Sequence, residues 1–289
     1  MKRLKAYVNL VKPKILLGVL GLFITSTLAS AAPARLWIVA ETRYHMGVMA
    51  ALCLVAGSNA LNNYLDRDLD SRMGRTGRRA LPLGLIGSKE ALTFSILLLA
   101  LSLTLLVFAA GDVVWLAALA LLSYIVLYTA LFKRKTRFNV VAATPAVAAP
   151  VMAGWLVGHG SLDPVGLVFS AIAITWGLVH FWSLTIIFRE DYRRAGVPTL
   201  PGSLGVRTAS MVVASLSSFM AALSFLPAWL EGWGLTYLAG ATILNAALLI
   251  LSAHLLRRPT AGRRAWRLYK FSSPYILLLL LLVFLEKIV

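Results

Sequence analysis

Apolar stretches of about twenty residues recur along this chain, separated by short polar runs. A helix that crosses the hydrocarbon core of a membrane needs about 20 apolar residues. The pattern therefore predicts nine membrane helices, at roughly 14–32, 45–65, 90–110, 112–132, 138–158, 165–188, 208–230, 233–256 and 268–288. The punctuation is brief: Gly111-Asp112, Lys133 to Arg137, His159 to Pro164, and Glu231-Gly232. The third and fourth stretches almost touch, which predicts a tight helical hairpin. The expected fold class is an all-α membrane protein, one integral membrane domain over residues 1–289. The basic start, Met1-Lys2-Arg3-Leu4-Lys5, is followed by no small-residue cleavage site after a short apolar core. It predicts a first membrane helix rather than a removed signal peptide.

Composition agrees with the pattern. Hydrophobic residues make up 60% of the 289 positions and charged ones only 13%, against about 25% charged in a soluble domain. A net charge of +17 raises nucleic acid as a partner. The charges fall in short runs between apolar stretches and form no basic domain, so a nucleic-acid partner is excluded. With one cysteine, Cys53, there is no disulfide framework.

The distribution of the basic residues predicts orientation. Placing the N-terminus in the cytoplasm puts 25 of the 28 Lys and Arg on the inner side and leaves Arg35, Arg43 and Lys287 outside. The positive-inside rule selects that topology, with the C-terminus outside. Acids do not follow the rule, so their placement carries separate information. Asp112, Asp163 and Glu231 mark outer turns. On the inner side, Asp66, Asp68 and Asp70 follow the second stretch, and Glu190 and Asp191 follow the sixth. Four helices separate the two clusters, which suggests a weak internal repeat facing a central cavity.

Clustered carboxylates beside hydrocarbon are costly unless something positive holds them. A helix places Asn62, Asp66 and Asp70 on one face and turns Asp68 away. Mg²⁺ prefers carboxylate and phosphate oxygens, so the constellation fits a metal-bound diphosphate. Arg75, Arg79, Lys133 and Arg134 are available for the remaining phosphate charge. The metal and the cations would make diphosphate a better leaving group. Aromatics near the inner ends (Tyr64, Tyr124, Tyr128, Phe181, Trp182, Phe188) offer π-faces to a carbocation, although Trp and Tyr also gather at membrane interfaces for other reasons.

The residues carrying this chemistry also carry a resemblance. Asn62-Asn63-Tyr64-Leu65-Asp66-Arg67-Asp68-Leu69-Asp70, with Met73, Arg75-Thr76 and Arg79-Ala80-Leu81-Pro82, resembles the first aspartate-rich motif of the UbiA-type intramembrane prenyltransferases. Three further segments are similar to the heme-farnesylating branch of that superfamily: Tyr128-Thr129 through Lys133-Arg134-Lys135-Thr136 to Asn139, His180-Phe181-Trp182-Ser183-Leu184, and Glu190-Asp191-Tyr192 through Ala195-Gly196-Val197-Pro198 to Pro201. The similarity runs from about residue 10 to 205. In this chain Ala80 stands for a proline, Arg78 for an asparagine and Glu190 for an aspartate. Ala195 lies four residues after Asp191, where the wider superfamily carries a second Asp.

The resemblance implies nine helices around a cavity open to the cytoplasm and to lipid, in the cell inner membrane. It implies farnesyl diphosphate and heme b as substrates, Mg²⁺ as cofactor and a heme A synthase acting downstream. The farnesyl carbon would add to the heme 2-vinyl group with uptake of water, giving heme O and diphosphate. Asn62, Asp66, Asp70 and Asp191 are the expected catalytic and metal-binding set. Arg75, Arg79, Lys133, Arg134, His180, Glu190 and Tyr128 are the expected substrate-binding set. His180 lies within a span, where an ionisable group predicts function, and heme is its expected partner. If the helix were continuous from His180 to Asp191, they would be about 16 Å apart. Two other functions stay open on the residues alone: prenylation of an aromatic or quinone precursor, and secondary transport of an anionic metabolite.

Overall fold

The computed structural model describes residues 2–109, 111–257 and 262–289. Nine of its helices are long and apolar enough to cross a membrane. They are α2 (Pro13–Ser30), α3 (Thr42–Leu65), α5 (Ser88–Ala109), α6 (Val114–Phe132), the span Asn139–His159 containing α7 (Thr144–His159), α8 (Pro164–Ile187), the span Leu200–Glu231 formed by α10 (Leu200–Leu223) and α11 (Leu226–Glu231), α12 (Leu235–Arg257) and α13 (Gly262–Ile288). Short helices α1 (Lys2–Val11), α4 (Arg67–Ser71) and α9 (Arg189–Arg194) flank them. The predicted spans therefore exist, and most ends agree within a few residues. α10 and α13 begin earlier than their apolar runs: α10 opens on Leu200-Pro201-Gly202-Ser203, where Thr199 caps the helix by accepting from the Gly202 amide, and α13 opens on the basic Arg263-Arg264.

α1 is an addition to the predicted architecture. It is amphipathic, so it lies apart from the first span. Tyr7 donates a short hydrogen bond to Glu90 at the start of α5, and Arg3 pairs with the same carboxylate at 3.2 Å.

Lipid tails are as apolar as leucine, so membrane helices associate through close packing and interhelical hydrogen bonds. α2 and α7 do both. Gly154 and Gly158 lie one turn apart on α7, and a Cβ on either would collide with the α2 backbone at Phe23 or Thr27. Across that seam Ser26 Oγ donates to the Val151 carbonyl at 2.7 Å. α8 packs on α7, α10 and α13, and α12 closes on α10 and α13. Their shared interior holds Phe169, Ile172, Leu248, Tyr275 and Leu279, all 0% exposed. On the other side α3 packs along α5. In α10, Gly205 has φ 83°, which breaks the helical path one turn after its start.

Candidate active site

The carboxylates gather where α3 ends. Asp66 is the residue after the last turn, at φ −93° and ψ 2°, and Asp70 belongs to α4. The spacing predicts Asn62, Asp66 and Asp70 on one continuous helix; the structure breaks that helix at Asp66. They stay together because the Asp70 amide donates to the Asp66 carbonyl at 2.8 Å across the break. Asn62 Nδ2 donates to Asp66 Oδ2 at 2.8 Å. Asn62, Asp66 and Asp70 are 4%, 1% and 2% exposed, and charges so buried require partners. Lys133 Nζ makes a short ion pair with Asp66, and Arg79 pairs with Asp70 at 2.6 Å. Arg79 also donates to Asn63 Oδ1 at 3.1 Å.

Two local irregularities aim these cations. Lys12 has φ 51°, rare for a residue with a Cβ, and separates α1 from α2 just before Pro13. Its ammonium donates to Asn62 Oδ1 at 2.7 Å. Removal from water, with Arg79 and Lys133 nearby, holds Lys12 well below the ordinary lysine range. The second irregularity is π-helical winding over Leu122–Phe132 in α6. Such wide turns recur at functional sites. Here Thr129 Oγ1 donates to the Tyr124 carbonyl at 2.7 Å and accepts from Asn62 Nδ2 at 3.0 Å. The same winding stacks Tyr124 on Tyr128 at 6.0 Å and puts Lys133 Nζ 5.7 Å from the Tyr128 ring centroid.

The two loops meet. The Arg75 amide donates to Asp191 Oδ2 at 3.0 Å, and its guanidinium lies 5.0 Å from the Phe188 ring centroid. Beneath them Leu69, Met73, Tyr192, Ala195 and Val197 form a small core. Burial raises the Tyr192 phenol above its ordinary range. The Arg75 contact brings the loop after α4 to the carboxylate of Asp191.

Other candidates lie outside the cluster. Arg134 makes a two-pronged pair with Asp68, both contacts at 2.7 Å, on the surface. The Arg134 hydrogen bond holds Asp68 below the usual carboxylate range. Glu190 is exposed and paired with Arg193 at 2.8 Å, which lowers its pKa in the same way. The sequence places Arg134 and Glu190 at the substrate; in the structure their charged partners are Asp68 and Arg193.

His180 stands apart on α8. Its ring stacks on Trp176 and on Tyr269, with centroids at 5.2 and 4.4 Å. α8 ends at Ile187 and turns at Phe188, so Asp191 is not on the same axis. The 16 Å separation expected from a continuous helix does not apply. Phe181 meets Tyr128 edge-on at 6.0 Å and links this seam to the carboxylate end.

Sequence reading missed Lys12, Thr129, Asn63, Trp176 and Ser272. Asn59, Asn62 and Asn63 clustered in an apolar stretch were a usable signal, because amides in a span need polar partners. So was the Lys-Pro pair at the head of the first span.

The donor set fits a hard divalent cation. Asp66 Oδ1 is buried and has no hydrogen-bond partner among the described residues. Among those residues no three His, Cys, Asp or Glu side chains converge on one point. Mg²⁺ takes one or two carboxylates and completes its shell with phosphate oxygens and water, so it requires no such convergence.

A protoheme IX farnesyltransferase of Desulforudis audaxviator (strain MP104C) is 34% identical over 282 residues, covering 96% of this chain and 86% of that protein. Another, of Roseiflexus sp. (strain RS-1), is 34% identical and covers 99% of this chain, which spans about half of its length, 53%. A solved structure described for digeranylgeranylglyceryl phosphate synthase superposes with TM-score 0.78 at 21% identity, over 100% of this chain and 99% of that one. An Archaeoglobus fulgidus UbiA homolog bound to GPP and Mg²⁺ gives TM-score 0.70 at 17% identity, over 98% and 100%. These two show the fold. The UbiA prenyltransferase family matches residues 19–274, and the chain belongs to that family.

Proposed function

We propose that this multi-pass membrane protein transfers a farnesyl group from farnesyl diphosphate to a vinyl group of heme b, giving heme O and diphosphate. The activity of the protoheme IX farnesyltransferases that the chain resembles supports the substrates. The single observation that carries the site is the meeting of the two loops: Arg75 on Asp191, beside the paired Asp66–Lys133 and Asp70–Arg79. The transport alternative does not survive membership of a prenyltransferase family.

The C1–O bond of farnesyl diphosphate breaks, and a C–C bond forms to the vinyl terminus. Water adds to the inner vinyl carbon and loses a proton. Mg²⁺ ions held through Asn62, Asp66, Asp70 and Asp191, each by one or two of these carboxylates and the diphosphate oxygens, would supply charge that makes diphosphate a better leaving group. Lys133 and Arg79, already aimed at the carboxylates, take up charge on the departing diphosphate. Lys12 adds a third nitrogen donor beside Asn62. Tyr124, Tyr128 and Phe181 present π-faces toward which a farnesyl cation is drawn. Buried Tyr192 helps exclude water from the mouth. His180 belongs to the acceptor side. Heme A synthase is the partner expected to consume the product.

The site lies on the cytoplasmic side of the cell inner membrane in this reading, supported by the 25-to-3 division of basic residues. Single cysteines at Arg78 and Glu231, both exposed, in a Cys53→Ser background should label from opposite sides. Labelling of both from outside intact cells refutes the topology. For the reaction, purified protein given labelled farnesyl diphosphate and heme b should form farnesylated heme, and EDTA should stop it. Transfer to a quinone precursor with none to heme would overturn the acceptor.

A further inference from the structure

Trp176 and His180 lie one turn apart on α8, and both grip Ser272 of α13. Trp176 Nε1 donates a short hydrogen bond to the Ser272 carbonyl. His180 Nδ1 lies 2.9 Å from Ser272 Oγ, and that oxygen lies 2.9 Å from the Tyr269 carbonyl. A serine hydroxyl has one proton and two lone pairs, and a carbonyl can only accept. The contact with Tyr269 therefore uses the Ser272 proton. Only lone pairs remain for the imidazole, so His180 Nδ1 carries the hydrogen. The reverse assignment leaves two oxygens 2.9 Å apart with no proton between them. Ser272 is 0% exposed, and an unmet contact there is costly.

In the neutral ring a hydrogen on Nδ1 leaves Nε2 as a bare lone pair. Among the described residues Nε2 has no hydrogen-bond partner, since the ring's one bond is through Nδ1. Trp176 and Tyr269 both stack on the ring, at 5.2 and 4.4 Å. Its free edge is thus an electron-pair donor held in one orientation. A lone pair cannot donate a hydrogen bond to a carboxylate, but it can bind a metal. Metal-binding histidines fix their free nitrogen in this way, by donating the other N–H to a nearby acceptor.

We propose that Ser272 is a positioning residue that fixes His180 as the Nδ1–H tautomer and presents Nε2 to the iron of a metalloporphyrin. This rests on the placement of His180 on the acceptor side. It selects axial ligation over a hydrogen bond to a heme propionate.

Full-length protein labelled with ¹⁵N-histidine carries four such residues, and a His180→Ala spectrum identifies the resonance. His180 should show a protonated Nδ1 and an unprotonated Nε2. Ser272→Ala should populate the other tautomer. Titrated with ferric heme b, Ser272→Ala should lose about tenfold in affinity and weaken the histidine-ligated Soret signature. Ser272→Thr, which keeps the hydroxyl, should restore both. Farnesyl diphosphate affinity should be unchanged in each variant. A wild-type ring protonated at Nε2 overturns the proposal, as does an unaltered heme spectrum in Ser272→Ala. An unaltered heme spectrum in His180→Ala overturns instead the placement of His180 beside heme, whatever its tautomer.

Discussion

The carboxylate end of the α3–α4 junction and the aromatic seam of α8 and α13 are both polar islands in an apolar bundle, but they are made differently. The first is a set of opposite charges. Asp66, Asp70 and Asn62 are met by Lys133, Arg79 and Lys12, contributed by three other parts of the chain. The second is uncharged in its neutral form: one imidazole, one hydroxyl and stacked rings. Ion pairs can exchange partners when a charged ligand arrives. A stacked ring with one fixed hydrogen bond has one free edge and little freedom. The contrast suits a site whose first substrate leaves a charged product and whose second is a flat, mostly apolar porphyrin.

The largest effect that would break this contrast is at the charged end. Asp191→Asn and Asp66→Asn should each lower turnover by at least about a hundredfold, since both remove charge that stabilises the transition state. Asn is chosen at 66 because its amide oxygen can still accept from Lys133, whereas Asp66→Ala would leave the buried ammonium with neither charge nor acceptor there, at a cost of about 3–5 kcal/mol. A truncation there tests folding as well as chemistry. Wild-type turnover in Asp66→Asn, or full activity in EDTA, would end the donor-site assignment.

Next in size is the separation of the two substrates. His180→Ala should weaken heme b binding about tenfold or more while leaving farnesyl diphosphate affinity unchanged. Lys12→Met should do the reverse, raising the farnesyl diphosphate KM about tenfold through the loss of one charge-assisted contact. Isothermal titration and steady-state kinetics on both variants read the split. If His180→Ala instead loses the diphosphate, the two regions are one site.

The smallest effect is expected at Asp68–Arg134. Both side chains are nearly half exposed, so the pair contributes tenths of a kcal/mol at most. Asp68 is held below its ordinary range in the folded protein. Its stabilising contribution is therefore present above the unfolded carboxylate pKa and is lost as pH falls through the lowered folded value. Arg134→Ala should retain near-wild-type turnover and lower Tm by no more than about 2 °C, with the difference vanishing in acid. A large loss of turnover would return Arg134 to the substrate.

Much of this protein was legible in its residues. Nine apolar runs can be nothing but spans, because backbone polar groups in hydrocarbon must pair within a helix. The acids at the inner ends of the second and sixth spans also stood out, since the positive-inside rule does not place them. The Asn62–Asp66 contact follows from four-residue spacing on a helix. Tertiary structure decided which cation meets which carboxylate. Asp68 and Asp70 are two residues apart, yet one meets Arg134 at the surface and the other Arg79 in the interior. The break at Asp66 and the π-winding of α6 set those directions, and neither has a local signature. The Ser272 hydroxyl that meets His180 lies 92 positions away in the chain, and no periodicity spans that distance. Side-chain type and local spacing determine which helices form and what chemistry is available. Long-range packing determines which groups are close enough to use it, because hydrogen bonds and ion pairs act over a few ångströms.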